Sequence, residues 1–192
     1  MSQHNESGFA RSGGAAAITK AFGQAEVAEV HGKFAVQCID KDGNLKWEDE
    51  FDNLVTTVGK NFALDTYLAG SAYTVTGPYM GLINTNASAA AIGDTMASHA
   101  GWLEVGLANA PTYTGPRKTV AWSSASGGSK TTSAAASFAI TGSGTVGGCF
   151  LVLGAGAVST IDNTGGVLYS AGAFTGGSKT VANGDTLNVT YT

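Results

Sequence analysis

The sequence predicts a mainly β protein, an antiparallel β-sandwich, jelly-roll-like or Ig-like, carrying one short α-helix and an extended N-terminal arm. Three observations lead there. Short runs with two-residue alternation recur along the chain, separated by Gly, Asn, Asp and Ser clusters. Only one stretch has helical character. The central segment Ser137 to Leu153 places Ser-Phe-Ala-Ile-Thr and Cys-Phe-Leu-Val-Leu on either side of a glycine-rich turn, Gly142 to Gly148. This segment is expected to be a core β-hairpin. Its first limb alternates as a half-buried strand does, and its second limb is apolar throughout, as in a strand covered on both faces.

Residues 1–24 are rich in Ser, Gly and Ala, with isolated Phe9, Ile18 and Phe22 and no alternation. Ile18, Phe22 and Ala25 fit one stripe of a short helix from Ala15; a flexible arm that orders on a partner fits equally. A single domain is expected over residues 25–192, since 192 residues suffice for one sizeable core.

Glu26 to Phe51 reads as β. Phe34, Val36 and Cys38 alternate, Asp40 to Asn44 turns, and Leu45, Trp47 and Phe51 continue on one side. Asp42-Gly43 is a hairpin signal, because glycine accepts the positive φ such turns need. Asp40, Asp42 and Asn44 resemble the start of a calcium loop, but that loop wants glycine at position six and a bidentate Glu at twelve, and Gly43 comes at position four. The acidic residues Glu48, Asp49, Glu50 and Asp52 read as a solvated strand face, with a cation or basic partner as the minority reading.

Asn53 to Gly70 is the expected helix. Thr56 or Thr57 caps it, Val55, Val58, Phe62 and Leu68 supply the apolar positions, and Gly70 ends it. Gly59 inside it costs about 1 kcal/mol of helix propensity relative to Ala. The helix is expected to plug one end of a sandwich or to cover a sheet edge.

Tyr79 to Asn84 is read as a buried strand and Thr85 to Ala100 as a long loop. Trp102 to Val105 and Thr119 to Trp122 follow as strands, with Pro111, Pro116 and Arg117-Lys118 marking an irregular crossing between them. Ser126-Gly-Gly-Ser-Lys-Thr131 is echoed by Thr175-Gly-Gly-Ser-Lys-Thr180, one turn chemistry used twice. Tyr169-Ser170 and Leu187 to Tyr191 close a set of eight or nine strands.

Charged residues make up 12% of the chain, about half the usual share, while glycine, at 28 of 192 residues, is about twice its usual share. Such a sparsely charged surface of small side chains suits repeated contact with protein subunits, and also suits an ordinary secreted β-domain. Net charge is −4, and the last 62 residues hold only Lys179, Asp162 and Asp185 as charged groups. No basic face for nucleic acid is expected. The N-terminus reads as lacking a signal peptide and no run is apolar enough to span a bilayer, so a soluble, cytoplasmically made protein with no membrane partner is expected.

Chemistry is sparse. Gly142-Ser-Gly144-Thr-Val-Gly147 matches the dinucleotide pattern, with Asp162 at the spacing of a ribose-binding carboxylate, but it runs into a strand-like segment rather than a helix. His4, His31 and His99 have no second histidine at ligand spacing, and no metal site or cofactor is expected. Trp47, Trp102 and Trp122 read as core or interface, with a sugar-stacking face as the alternative. Cys38 and Cys149 read as buried thiols, with a disulfide between them left open. No catalytic residues are expected.

Five segments add a resemblance. Asn53-Leu-Val-Thr-Thr-Val-Gly-Lys-Asn61 with Leu64 to Leu68, Tyr79-Met-Gly-Leu-Ile83, Ala97 to Trp102, Leu168-Tyr-Ser-Ala-Gly172 and Gly184-Asp-Thr-Leu-Asn-Val-Thr190 resemble structural proteins of tailed-bacteriophage virions. Residues 1–52 carry little of this resemblance. It implies a jelly-roll head decoration, or cement, protein on the capsid exterior, partnered by the major capsid protein and by itself as a dimer or trimer. Phe9, Ile18 and Phe22 become the expected interface residues of the arm. A tail- or head-fibre module binding a host surface glycan is the alternative.

Overall fold

The computed structural model describes residues 30–68, 76–84 and 90–192. Two antiparallel sheets face each other. The first has the order β2-β1-β12-β7, built from β1 (Lys33–Ile39), β2 (Leu45–Asp52), β7 (Ala136–Ala139) and β12 (Thr186–Tyr191). The second runs β3-β10-β9-β4-β5, from β3 (Leu54–Val55), β4 (Tyr79–Ile83), β5 (Glu104–Val105), β9 (Gly148–Leu153) and β10 (Val167–Ala173), with β6 (Lys118–Thr119) also paired to β4. A separate ribbon pairs β8 (Gly144–Val146) with β11 (Lys179–Val181).

The two-residue period places the core. Phe34, Val36 and Cys38 of β1 alternate inward, as do Phe138 of β7 and Leu187, Val189 and Tyr191 of β12. Opposite them stand Met80, Leu82, Cys149 and Leu151 of the second sheet. Each such side chain, fully buried, contributes about 1.5–3 kcal/mol of transfer free energy. Aromatic rings lock one end: Phe34 stacks on Phe51 at 5.4 Å and meets Tyr191 edge-on at 4.9 Å, and Phe174 meets Phe51 at 5.1 Å.

β9 is buried at every position but its last, and its two faces serve different cores. Cys149 and Leu151 enter the inter-sheet core; Phe150 and Val152 point outward into a second cluster with Ile83, Met96, Trp102, Ala157, Leu168 and Ala171. The cover on that outer face comes from the stretch read as a long loop. Within residues 90–103 the buried Asp94 carboxylate accepts from the Ala91 amide (3.0 Å) and from Trp102 Nε1 (3.1 Å), and His99 stacks on Trp102 at 3.8 Å. This irregular segment is therefore packed as a lid on the sheet.

The expected turn chemistry is present. Gly43 has φ 88°, and Asp40 Oδ1 accepts from the amides of Asp42 (2.9 Å) and Asn44 (2.8 Å). Those two bonds and the Asn44 side chain hold the exposed Asp40 carboxyl below its ordinary range. The two Gly-Gly-Ser-Lys turns share one geometry, with φ 58° and 80° at Gly127 and Gly128, and 75° and 92° at Gly176 and Gly177.

The single helix among the described residues, α1 (Thr57–Leu68), is capped by Thr56, whose hydroxyl accepts from the Gly59 amide at 3.1 Å and donates to the Leu168 carbonyl. The helix lies against β10 with Gly59 on the Tyr169 backbone. It covers sheet surface beside the β3 edge, as one of the two expected placements had it.

Two sequence expectations are corrected. Ser137 to Leu153 is not a hairpin: β7 pairs with β12 in one sheet and β9 with β4 and β10 in the other. The glycine-rich connection crosses between sheets and contributes β8 on the way. Twelve strands are present among the described residues rather than eight or nine, five of them only two or three residues long. The proposed arm, the helix from Ala15 and the Gly70 stop lie outside the described residues.

Candidate functional site

The most site-like feature is an apolar groove of about 850 Å3 beside α1. Phe62, Ala63 and Thr66 form its helical wall; Leu151, Leu153 and Tyr169 line it from β9 and β10; Trp122, Tyr191 and Pro78 complete it. Val30 and His31, the first described residues, also line it. The chain packs this way because α1 is held at its N-terminus by Thr56 on Leu168 and by the Thr57 amide on the Ile92 carbonyl at 2.9 Å, which leaves its second half over the end of the sandwich. Trp122 meets Tyr191 edge-on at 5.7 Å, and the Tyr191 hydroxyl accepts from Asn53 Nδ2 at 2.7 Å. Burial pushes the Tyr191 phenol up to about 12 and raises that of Tyr169. The groove is thus aromatic, aliphatic and uncharged on its floor, a surface suited to apolar side chains rather than to an ionic ligand.

A buried ion pair sits elsewhere in the second sheet. Arg117 donates through Nε to Glu104 Oε1 (2.8 Å) and through Nη2 to Glu104 Oε2 (2.7 Å), a bidentate fork at 1% and 5% exposure. The remaining donors reach the Val158 (3.1 Å) and Asn163 (2.7 Å) carbonyls, and Glu104 Oε2 also accepts the amide of Asp162, a residue at φ 62°. The guanidinium lies over the Phe150 ring at 5.4 Å. Every charge here is committed to pinning the loop 158–163 onto β5. Leu103 and Leu107 flank β5 and, with Val158, leave aliphatic surface exposed around the pair, at 49%, 67% and 37%.

A third polar cluster lies at the β1–β12 end. Asp185 Oδ2 accepts from Lys46 Nζ at 2.5 Å and from the Ala182 amide at 2.7 Å, with Cys38 Sγ at 3.7 Å. Burial alone would raise the Asp185 carboxyl, but the Lys46 and Ala182 hydrogen bonds and the Lys46 charge outweigh it and hold it below its ordinary value. The same surroundings push the Cys38 thiol up to about 12, first by burial and then by the Asp185 charge. A thiol next to a carboxylate is deactivated, the reverse of what a nucleophile needs. Cys149, wholly buried, is raised by burial as well, and both cysteines are free thiols in opposite sheets.

The residues singled out in the sequence are dispersed. Trp102 is buried on the outer face, Trp47 packs on Phe174 at 5.5 Å with its indole N–H on the Thr180 carbonyl, and only Trp122 of the three lines the groove. They form no common stacking face. His99 is spent on Trp102, with Nδ1 2.9 Å from that residue's carbonyl oxygen. The glycine motif 142–147 leads into β8 and β9 where a phosphate-binding helix would be required, and the Asp162 amide serves Glu104. Glu48 and Glu50 pair with Gln37 and Lys33 along the solvated edge of β2, while Asp49 meets Lys179 at 3.2 Å. Among the described residues no group of three or more His, Cys, Asp or Glu is placed to hold a metal ion, and no helix is long and apolar enough to cross a membrane. Phe9, Ile18, Phe22 and His4 lie outside the described residues.

Sequence reasoning missed the Glu104–Arg117 pair. The available signal was a lone carboxylate between Leu103 and Val105 in a strand of a sparsely charged chain, which demands a buried cation. Comparison with family models, curated proteins and solved structures finds no match to the chain.

Proposed function

We propose that this chain is a decoration protein of a tailed-bacteriophage head, binding the outer surface of the major capsid shell and bridging neighbouring subunits. The observation that carries this reading is the resemblance of segments from Asn53 to Thr190 to virion structural proteins. The antiparallel β architecture and the exposed aliphatic surface of Leu103, Leu107 and Val158 around β5 support it. The role is mechanical rather than enzymatic. A ligand that binds only the assembled shell lowers that state's free energy by mass action at each of many sites. Phe9, Ile18 and Phe22 are the arm's expected contacts with the capsid, and self-association as a dimer or trimer would multiply the bridging.

The test is the copy number of the chain in purified virions, by quantitative mass spectrometry against the major capsid protein. A ratio near one per capsid subunit, or a simple fraction such as one third, supports decoration. A few copies per particle moves the protein to a tail or head fibre and makes host glycan the partner, with Trp122 in the groove as the stacking residue to mutate first. Absence from virions overturns the proposal.

A further inference from the structure

We infer that in the free protein the groove beside α1 is the seat of the chain's own N-terminal segment, with Ile18 and Phe22 as the side chains that fill it. The inference concerns the isolated chain and stands whether or not the capsid reading does. The groove is apolar on its floor and large enough for several side chains, at about 850 Å3. Left to water, such a surface costs about 25 cal/mol for each Å2 of apolar area exposed, so a covering segment is favoured. The chain itself supplies one at the right place. Val30, where the described structure begins, is part of the groove wall, and 29 residues precede it. Within them Ile18 and Phe22 are four apart, and Ala25 adds a third small apolar position on the same helical stripe.

Reach and effective concentration decide between this segment and others. Phe22 is eight residues from Val30, and eight residues span at most about 28 Å, enough to fold back onto the wall from which the chain leaves. A tether this short holds the segment at an effective concentration in the millimolar range. A second copy's arm must compete from solution, at far lower concentration. The occupant is therefore the arm of the same molecule. The groove floor carries no ionic group, which matches a segment whose apolar residues are flanked by Ser, Gly, Ala and Gln rather than by a run of charge.

The experiment uses the full-length chain with Phe22→benzoylphenylalanine, irradiated and mapped by mass spectrometry, in a mixture of isotopically light and heavy protein. Crosslinks within one chain to Phe62, Leu153, Tyr169 or their groove neighbours are expected. Crosslinks between light and heavy chains, or none to groove residues, overturn the inference. In parallel, full-length Ile18→Ser/Phe22→Ser is expected to bind more of an apolar fluorescent dye and to shift Trp122 emission to the red, the Trp122 share being taken from the same pair of measurements in a Trp122→Phe background. Unchanged dye binding and emission overturn it. So does the same change from Tyr73→Ser with none from the arm variant, which would give the groove to residues between Leu68 and Thr76.

Discussion

Gly59 of the helix rests directly on the backbone of Tyr169: a Cβ at position 59 would stand 2.3 Å from the Tyr169 carbonyl oxygen and 2.9 Å from its Cα. Helix propensity alone says that Gly59→Ala should stabilise the protein by about 1 kcal/mol. The contact reverses the sign. Backbone on both sides leaves nothing soft to yield, so Gly59→Ala should lower unfolding free energy by about 1–3 kcal/mol, as overpacking does. Urea unfolding of the two proteins checks it; an increase in midpoint would mean that the helix lifts off β10 without penalty.

The Glu104–Arg117 pair should show strong non-additivity. Arg117→Met alone leaves a buried carboxylate unpaired and should cost about 3–5 kcal/mol, with Glu104→Leu alone similar. The double variant removes both charges and should be markedly more stable than either single one. A double-mutant cycle from denaturant melts decides it, and additive losses would show that the pair is not coupled.

Asp185 should make the fold acid-sensitive. Its carboxyl is held below its unfolded value, so its contribution is fully present above the unfolded pKa near 3.9 and is lost as pH falls through the lower folded value. Asp185→Asn should cost about 2 kcal/mol at pH 7, the scale of a hydrogen bond to a charged group. The gap between the two proteins should narrow as pH drops below about 4. A gap that stays constant down to pH 2 would remove Asp185 from the acid response.

Both thiols should be silent in the native state. Cys38 is pushed up to about 12, and Cys149 is buried without a charged neighbour to stabilise a thiolate. A disulfide reagent at pH 8 should titrate neither cysteine until denaturant is added, and then two per chain. Prompt native labelling of Cys38 would contradict its burial.

Local features were readable because their causes are local. Asp42-Gly43 dictates its turn, Thr56 its cap, and the alternation in Phe34 to Cys38 and Leu187 to Tyr191 its buried face. Partner choice is not local. The same Gly142 to Gly148 linker that closes a hairpin also permits a crossing between sheets, and the side chains of β7 and β9 do not say which; the β8–β11 pairing settles it through residues some way down the chain. Gly59 announced a cost in the sequence, while its reason lies in β10. The groove, too, was invisible, since Phe62, Leu151 and Tyr191 meet only after both sheets and the helix are in place.

β12 occupies an inner position of the first sheet, bonded to β1 on one side and β7 on the other. The ribosome delivers Thr186–Tyr191 among the last residues of this sequence. Until then β1–β2 and β7 have no common neighbour, and the nascent chain carries their apolar faces unsheltered through most of its synthesis. Folding of this sheet is accordingly tied to completion of translation, and a premature stop anywhere before residue 186 would release a product that chaperones and proteases, rather than a partner protein, are the first to meet.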